Sequence, residues 1–247
     1  MMSLWTKTSG TWINVATVLS GTALGLVLQQ QLMPSLHQII TQGIGLVTLV
    51  VGMTMALDLT RATIGHVDGV VLALVCLVLG GTLGELVKLD DRLHTVGNWL
   101  QQRMGKSNHQ FTEGFITASL LFCVGPLTLI GSLNNGLTGD NRLLVLKAIM
   151  DGISAMTLAS SFGISVGYST VVILLYQGGI SLAAGSLARV LPNPETAPSI
   201  MLITGIGGVI ILGLGLNLLK VAQIRIASFL PAFLLAPVLC WLADLIS

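Results

Sequence analysis

Charge is what this chain lacks most. Of its 247 residues only 9% are Asp, Glu, Lys or Arg, while 53% are hydrophobic, and the mean hydropathy is +0.89. A water-soluble domain carries about 25% charged residues, because a folded particle must cover itself with water-compatible groups. The shortage excludes a soluble protein and makes the lipid bilayer the chain's medium. Eleven Lys and Arg against ten Asp and Glu leave a net charge of +1. The cations are dispersed rather than gathered into a stripe that would neutralise phosphates, which excludes nucleic acid as a partner. Cysteine is scarce too: Cys76, Cys123 and Cys240 stand far apart inside apolar runs, as small packing residues do, not as metal ligands or disulfide partners. The HExxH, GxSxG, P-loop and strand-following GxGxxG patterns are missing. His37, His66, His94 and His109 fall at span ends or in loops with no ligand spacing. The expectation is a protein that is not an enzyme and carries no metal and no cofactor.

Long apolar runs are what the chain has in plenty. About 20 mostly apolar residues cross a bilayer, and eight segments qualify, near 11–29, 36–57, 68–88, 111–133, 142–162, 165–188, 197–219 and 224–246. Lipid tolerates no unpaired backbone, so these must be helices. The fold class is therefore all-α: a polytopic membrane protein of about eight transmembrane helices, in one transmembrane domain covering 1–247. The first apolar run, after Lys7, resembles a secretory leader, but more membrane follows it, so it reads as an uncleaved first span. Only "SSFGISVG" (160–167) can turn between the fifth and sixth segments; two spans are preferred there to a re-entrant hairpin.

One connection is long, 89–110. Leu93, Val96, Trp99, Leu100 and Met104 recur in it at helical spacing, which predicts an amphipathic helix in the interface with Trp99 at headgroup depth. The short-loop cations divide five against six between the two sides, so they do not fix orientation. Arg92, Arg103 and Lys106 in 89–110, with Lys88 just before it, favour a cytoplasmic loop, with both termini outside. An internal echo links "QGIGLVTLVVGMTMAL" (42–57) to "TGIGGVIILGLGLNLL" (204–219). These are the second and seventh spans, which point in opposite directions, as an inverted-topology repeat of the transporter kind requires.

The few charges inside the spans are the candidates for chemistry. In "LLVLKAIMDGISAM" (143–156), Lys147 and Asp151 stand four apart. On a helix, 147, 151, 154, 158 and 161 share a face, so Lys147, Asp151 and Ser154 form a polar stripe. An ionisable group at mid-membrane costs about 2.5–3.5 kcal/mol on the gentler insertion scale, and by default marks a pathway or a proton relay. Two plainer roles compete: Lys147 snorkelling to the interface, or a simple pairing of Lys147 with Asp151. In the span before, "FCVGPLTLIGSLNNG" (122–136), Pro126 lacks an N–H and clashes with the carbonyl of Phe122. Gly125 beside it relaxes the backbone, so the helix kinks or breaks and frees carbonyls at Phe122 to Val124. A half-helix starting at Pro126 would turn its positive end into the membrane. The hydroxyls of Thr117 and Thr128 share a face, with Ser132 beside Thr128. Gly125, Pro126, Thr117, Thr128 and Ser132 thus join Lys147, Asp151 and Ser154 as the expected solute- or ion-binding set.

Other polar positions read as structural. Asn14 and Gln177 are expected to hydrogen-bond across helices, and the pairs Gly21/Gly25, Gly80/Gly84 and Ser181/Gly185 to be packing faces. "NNGLTGDNR" (134–142) carries turn chemistry, with Asp140 or Asn141 positioned to cap the fifth span. Glu85 and Glu113 lie at span ends.

The stretch "GFITASLLFCVGPLTLIGSLNNGLTGDNRLLVLKAIMDGISAMTLASSFGI", with "INVATVLSGTALG" and "LGGTLGELVKL", resembles the YqgA/YdfK-type family of uncharacterised bacterial inner-membrane proteins. The most specific part runs from Leu121 to Gly163, above all "GLTGD" followed by a Lys and then "DG". The resemblance implies a multi-pass protein of the bacterial inner membrane. It brings no substrate and no functional residues with it.

Taken together, these residues favour a secondary transporter or ion-coupled carrier of a small polar solute, proton or ion. Its site would lie at mid-membrane, between a broken fourth helix and an acidic fifth. The alternative is a non-transporting scaffold or regulatory subunit. A channel would need a longer polar path than one acid supplies. A homo-oligomer is compatible with the sequence.

Overall fold

A computed structural model describes residues 3–29, 34–93, 95, 110–187 and 198–246. In chain order the helices are α1 (Leu4–Gln29), α2 (Pro34–Ala56), α3 (Gly69–Leu86), α4 (Gln110–Cys123), α5 (Pro126–Thr138), α6 (Arg142–Phe162), α7 (Ser165–Leu187), α8 (Pro198–Leu218) and α9 (Ala232–Ile246). Two 3-10 turns, Leu57–Thr60 and Ile226–Phe229, follow α2 and precede α9. Two-residue strands β1 (Thr63–Ile64) and β2 (Val67–Asp68) pair antiparallel, Thr63 opposite Asp68. Gly65, at φ 59°, supplies the left-handed conformation that so short a hairpin loop needs.

Among the described residues, seven helices are long and apolar enough to cross a membrane. An eighth span results if α4 and α5, bent by 59° at their junction, are counted as one. Large apolar side chains such as Leu24, Val47, Leu74, Leu175 and Leu234 are exposed, the arrangement expected where the outer solvent is hydrocarbon. The chain is an all-α membrane protein. Around 160–167 it forms two helices of 21 and 23 residues, each over 30 Å at about 1.5 Å per residue, long enough for two spans as expected. Gly163, at φ 73°, makes the turn. In the long connection residues 89–93 are helical; the expected interfacial helix with Trp99 otherwise lies outside the described residues.

The chain divides into two compact units, Met1–Thr41 with Gly97–Pro194, and Gln42–Val96 with Glu195–Ser247. In the first, α1 lies against α6 so closely that a Cβ on Gly21 would strike the Gly152 carbonyl, and one on Gly25 the Met156 carbonyl. Small residues permit this approach, which replaces the hydrophobic drive that lipid does not provide. The pair Gly21/Gly25 is thus a packing face. Ser181 is one as well, its carbonyl meeting Gly136, but Gly185 faces open space. The contact continues through Ala184 instead.

In the second unit α2 and α8 run antiparallel, Gly45 against Leu219 and Gly52 against Leu212 and the Gly208 carbonyl. The two echo segments, 42–57 and 204–219, therefore pack on each other within one unit. Gly80 and Gly84 meet Ala232 and Ser228. Arg225 pairs with Glu85, with Asp90 at 3.6 Å and with Asp91 at 2.6 Å, tying the turn before α9 to the end of α3. The Asp91 hydrogen bond and the Glu85 charge push the Arg225 guanidinium further up.

Candidate functional site

Helix α6 places the charged pair. Gly139, at φ 78°, ends α5, and Asp140 Oδ1 accepts from the Arg142 N–H at 3.0 Å as α6 begins. Asn141, at the N-cap, makes no capping bond; its amide donates to Ser9 Oγ at 3.0 Å instead. Asp151 is nine residues, about 13.5 Å, into a helix of about 31 Å, so its carboxylate belongs to the middle of the span. Lys147 Nζ donates to Asp151 Oδ2 within that helix. The two residues are 6% and 8% exposed, deep enough that desolvation opposes each charge and pairing must offset it.

Two further helices close on the pair. Asn14, on α1, donates from Nδ2 to Asp151 Oδ2 at 2.9 Å and to Gln177 Oε1, on α7, at 3.0 Å. Gln177 Nε2 in turn donates to Thr11 Oγ1 at 3.3 Å. Asn14 and Gln177 also lie near mid-helix, about 15 and 18 Å from the starts of α1 and α7. The polar centre thus joins α1, α6 and α7. The Asn14 Oδ1 carbonyl is buried and has no hydrogen-bond partner, and the same holds for Ser132 Oγ and Ser181 Oγ.

The break between α4 and α5 adjoins this centre. Gly125 takes φ 158° and ψ 153°, and Pro126 opens α5, a backbone combination that glycine alone adopts readily. The Phe122 carbonyl, deprived of a partner by the proline, accepts from Thr128 Oγ1 at 3.5 Å. Among the described residues no backbone hydrogen bond reaches the carbonyls of Cys123 and Val124. The Cys123 thiol, at the end of α4, is within electrostatic range of both Lys147 and Asp151. Helix α7 runs alongside: Gly114 meets Phe162 and Ser165, and Gly136 meets Ser181 and Ala184. Ser132, one turn before Gly136, therefore comes level with Gln177, one turn before Ser181.

Of the expected set, the structure brings Lys147 and Asp151 together and places the Gly125–Pro126 break and Thr128 in the same unit. Ser132 is buried with an open hydroxyl. Thr117 is buried on α4, and Ser154 is half-buried at the edge of the stripe. The expected face of α6 is buried at Lys147, Asp151, Leu158 and Ser161, while at Ser154 it is half-buried and Ala155 beside it packs inward. Asn14 and Gln177, expected from sequence to hydrogen-bond across helices, do so, and Asn14 also reaches Asp151 itself, Gln177 only through Asn14. The signal was available: amides at mid-span in helices otherwise apolar. Asn135, read as part of a turn, is a buried latch. It accepts from the Gly10 N–H and donates to the Thr6 carbonyl, both at 3.1 Å. Cys76, Cys123 and Cys240 are buried and form no disulfide. Among the described residues no three His, Cys, Asp or Glu side chains converge on a metal position.

Helices of spanning length around a buried polar centre define a membrane protein built on an intramembrane ion pair. More particularly, the chain belongs to the family described as protein of unknown function (DUF554), whose pattern matches residues 9–241. It is 30% identical over 232 residues to the uncharacterized membrane protein YdfK of Bacillus subtilis (strain 168), covering 93% of this chain and 94% of that one. It is 29% identical over 233 residues to the uncharacterized protein YqgA of Escherichia coli (strain K12), covering 92% and 94%. No solved structure matches.

Proposed function

We propose that this protein is a secondary carrier of a small polar solute or ion, rather than an enzyme, working as a multi-pass protein of the bacterial inner membrane. The observation that carries the reading is the ion pair at the middle of α6, held by an amide of α1 beside the discontinuity between α4 and α5. Ionisable groups at such depth are costly and face pathways or partners, and interrupted helices line the sites of many carriers.

The order of elements supports an inverted repeat. Helix, helix, 3-10 turn, helix occurs as α1–α3 and again as α7–α9. The later helices start 161, 164 and 163 residues after their counterparts, Leu4 to Ser165, Pro34 to Pro198 and Gly69 to Ala232. Counterparts run antiparallel: Thr11 lies by Gly178 and Thr22 by Gly167, just as Gly52 lies by Gly208 and Gly80 by Ala232. On this reading Asn14 and Gln177 are contributed by the first helix of each copy.

A second reading has its own observation. Lys147 and Asp151 satisfy each other's charge and are buried, as they would be in a scaffold or regulatory subunit whose polar groups only hold helices together. Reconstitution separates the two. Wild-type proteoliposomes, screened for metabolite, proton and ion flux against Asp151→Asn, should show one flux that the variant loses while remaining monodisperse. Equal fluxes in both would end the carrier reading.

A further inference from the structure

We propose that the mobile species at this site is a monovalent cation, an alkali ion or a small primary ammonium, and that the Lys147 ammonium is its tethered stand-in. In the empty state Lys147 holds the carboxylate of Asp151; the incoming cation takes its place.

The donor and acceptor inventory leads there. An anion needs N–H groups and net positive charge. Here the Lys147 charge is cancelled by Asp151. Both hydrogens of the Asn14 amide are spent, on Asp151 and on Gln177, and Gln177 Nε2 is engaged with Thr11. What remains open on Asn14 and Asp151 themselves is oxygen, while Gln177 Nε2 keeps one N–H and the Lys147 ammonium two. Asn14 Oδ1 is wholly buried and without a partner, and a carbonyl oxygen can only accept. It is bonded to the same carbon as the nitrogen that reaches Asp151 at 2.9 Å, so it belongs to the same buried polar centre. Every hydrogen bond that Asp151 accepts goes to Oδ2 among the described residues, which leaves Oδ1 open. Ser132 Oγ, level with Gln177, is another buried oxygen without a partner. Two open oxygens that can only accept, one of them the carboxylate's own, suit a cation, since hard cations are bound by oxygen ligands.

The structure already seats one cation there, because the Lys147 ammonium is a compact monovalent charge on a flexible four-carbon stem. Lys147 is five residues, about 7.5 Å, from the start of α6. Its side chain therefore reaches from the carboxylate toward the membrane surface by rotation alone, as snorkelling lysines do. The exchange keeps the centre neutral: the Asp151 carboxylate is balanced by the Lys147 ammonium before it and by the incoming cation after it.

The inference deepens the carrier reading, but binding alone tests it. The full-length protein in detergent is titrated with sodium, potassium, rubidium or methylammonium chloride against N-methyl-D-glucamine chloride at constant ionic strength, reading thermal stability. A parallel arm varies chloride, sulfate and phosphate with N-methyl-D-glucamine as the only cation. We expect a saturable rise in Tm with at least one small cation, loss of it in Asp151→Asn, and a half-saturating concentration at least tenfold lower in Lys147→Gln, which lacks the competitor. A response that follows the anion, no response to any cation, or weaker cation binding in Lys147→Gln would overturn it. If Lys147→Gln does not fold, Asn14→Leu decides: it removes Oδ1 without changing charge and must weaken cation binding, and unchanged binding overturns the inference. Cation binding without flux in proteoliposomes leaves this inference standing and ends the carrier reading. Anion-dependent flux does the reverse.

Discussion

Asn14 and Gln177, 163 positions apart in sequence, meet through a 3.0 Å hydrogen bond in the interior of the first unit. The same Asn14 nitrogen reaches Asp151 at 2.9 Å. One amide thus couples the charged helix α6 to two others, and each consequence can be measured.

Breaking the ion pair on one side should cost more than removing it altogether. Lys147→Met leaves a buried carboxylate unpaired, and the loss of stability should be about 3–5 kcal/mol. Lys147→Met with Asp151→Leu should recover most of that loss. Denaturation in detergent measures both, and additive losses would show that the two charges are not coupled.

The helix break should matter to transport more than to folding. Replacing Gly125 and Pro126 together by alanine restores the missing N–H and favours a continuous helix. Stability should hold or rise, while flux through reconstituted protein falls at least tenfold. Unchanged flux in a demonstrably straight helix would remove the break from the mechanism.

Asn135 should be a structural residue with a sizeable effect. Its side chain engages the Gly10 N–H, the Thr6 carbonyl and Ser9 Oγ. Asn135→Leu strands those groups beside a buried helix, at about 1–3 kcal/mol. Ligand affinity per folded molecule should be unaltered, which titration of the folded fraction would check.

Two glycines make a matched contrast. A Cβ on Gly25 would meet the Met156 carbonyl and stand 2.7 Å from Ala159 Cβ, whereas nothing lies within 4 Å of one on Gly185. Gly25→Ala should destabilise by about 1–3 kcal/mol through overpacking. Gly185→Ala should be neutral or gain up to about 1 kcal/mol from helix propensity. Equal effects would mean that α1 and α6 are not in close contact.

Much of the site was legible in the chain. Charges are so rare in the spans that Lys147 and Asp151 stood out, and Gly125 next to Pro126 announced a break because that chemistry is local to the backbone. Ser154 lies at the edge of the buried face, half-buried, with Ala155 beside it fully inside. Helical periodicity gives the angle of a residue about its own axis, but not which side a neighbour will cover, and here Ala155 turned inward. Asn14 and Gln177 were marked as mid-span amides, but nothing local said which partner each would meet, and Asn135 sat in a stretch that reads as a turn.

What the sequence determined by itself was solvent and secondary structure. A chain with 9% charged residues must live in lipid, and lipid forces its backbone into helices. What only the tertiary structure decided was company: which amide reaches the carboxylate, which oxygens are left without donors, and where α1 comes close enough to α6 for glycine to be required. Those facts depend on contacts between residues more than a hundred positions apart, and such distances are set by packing, which no short stretch of sequence encodes.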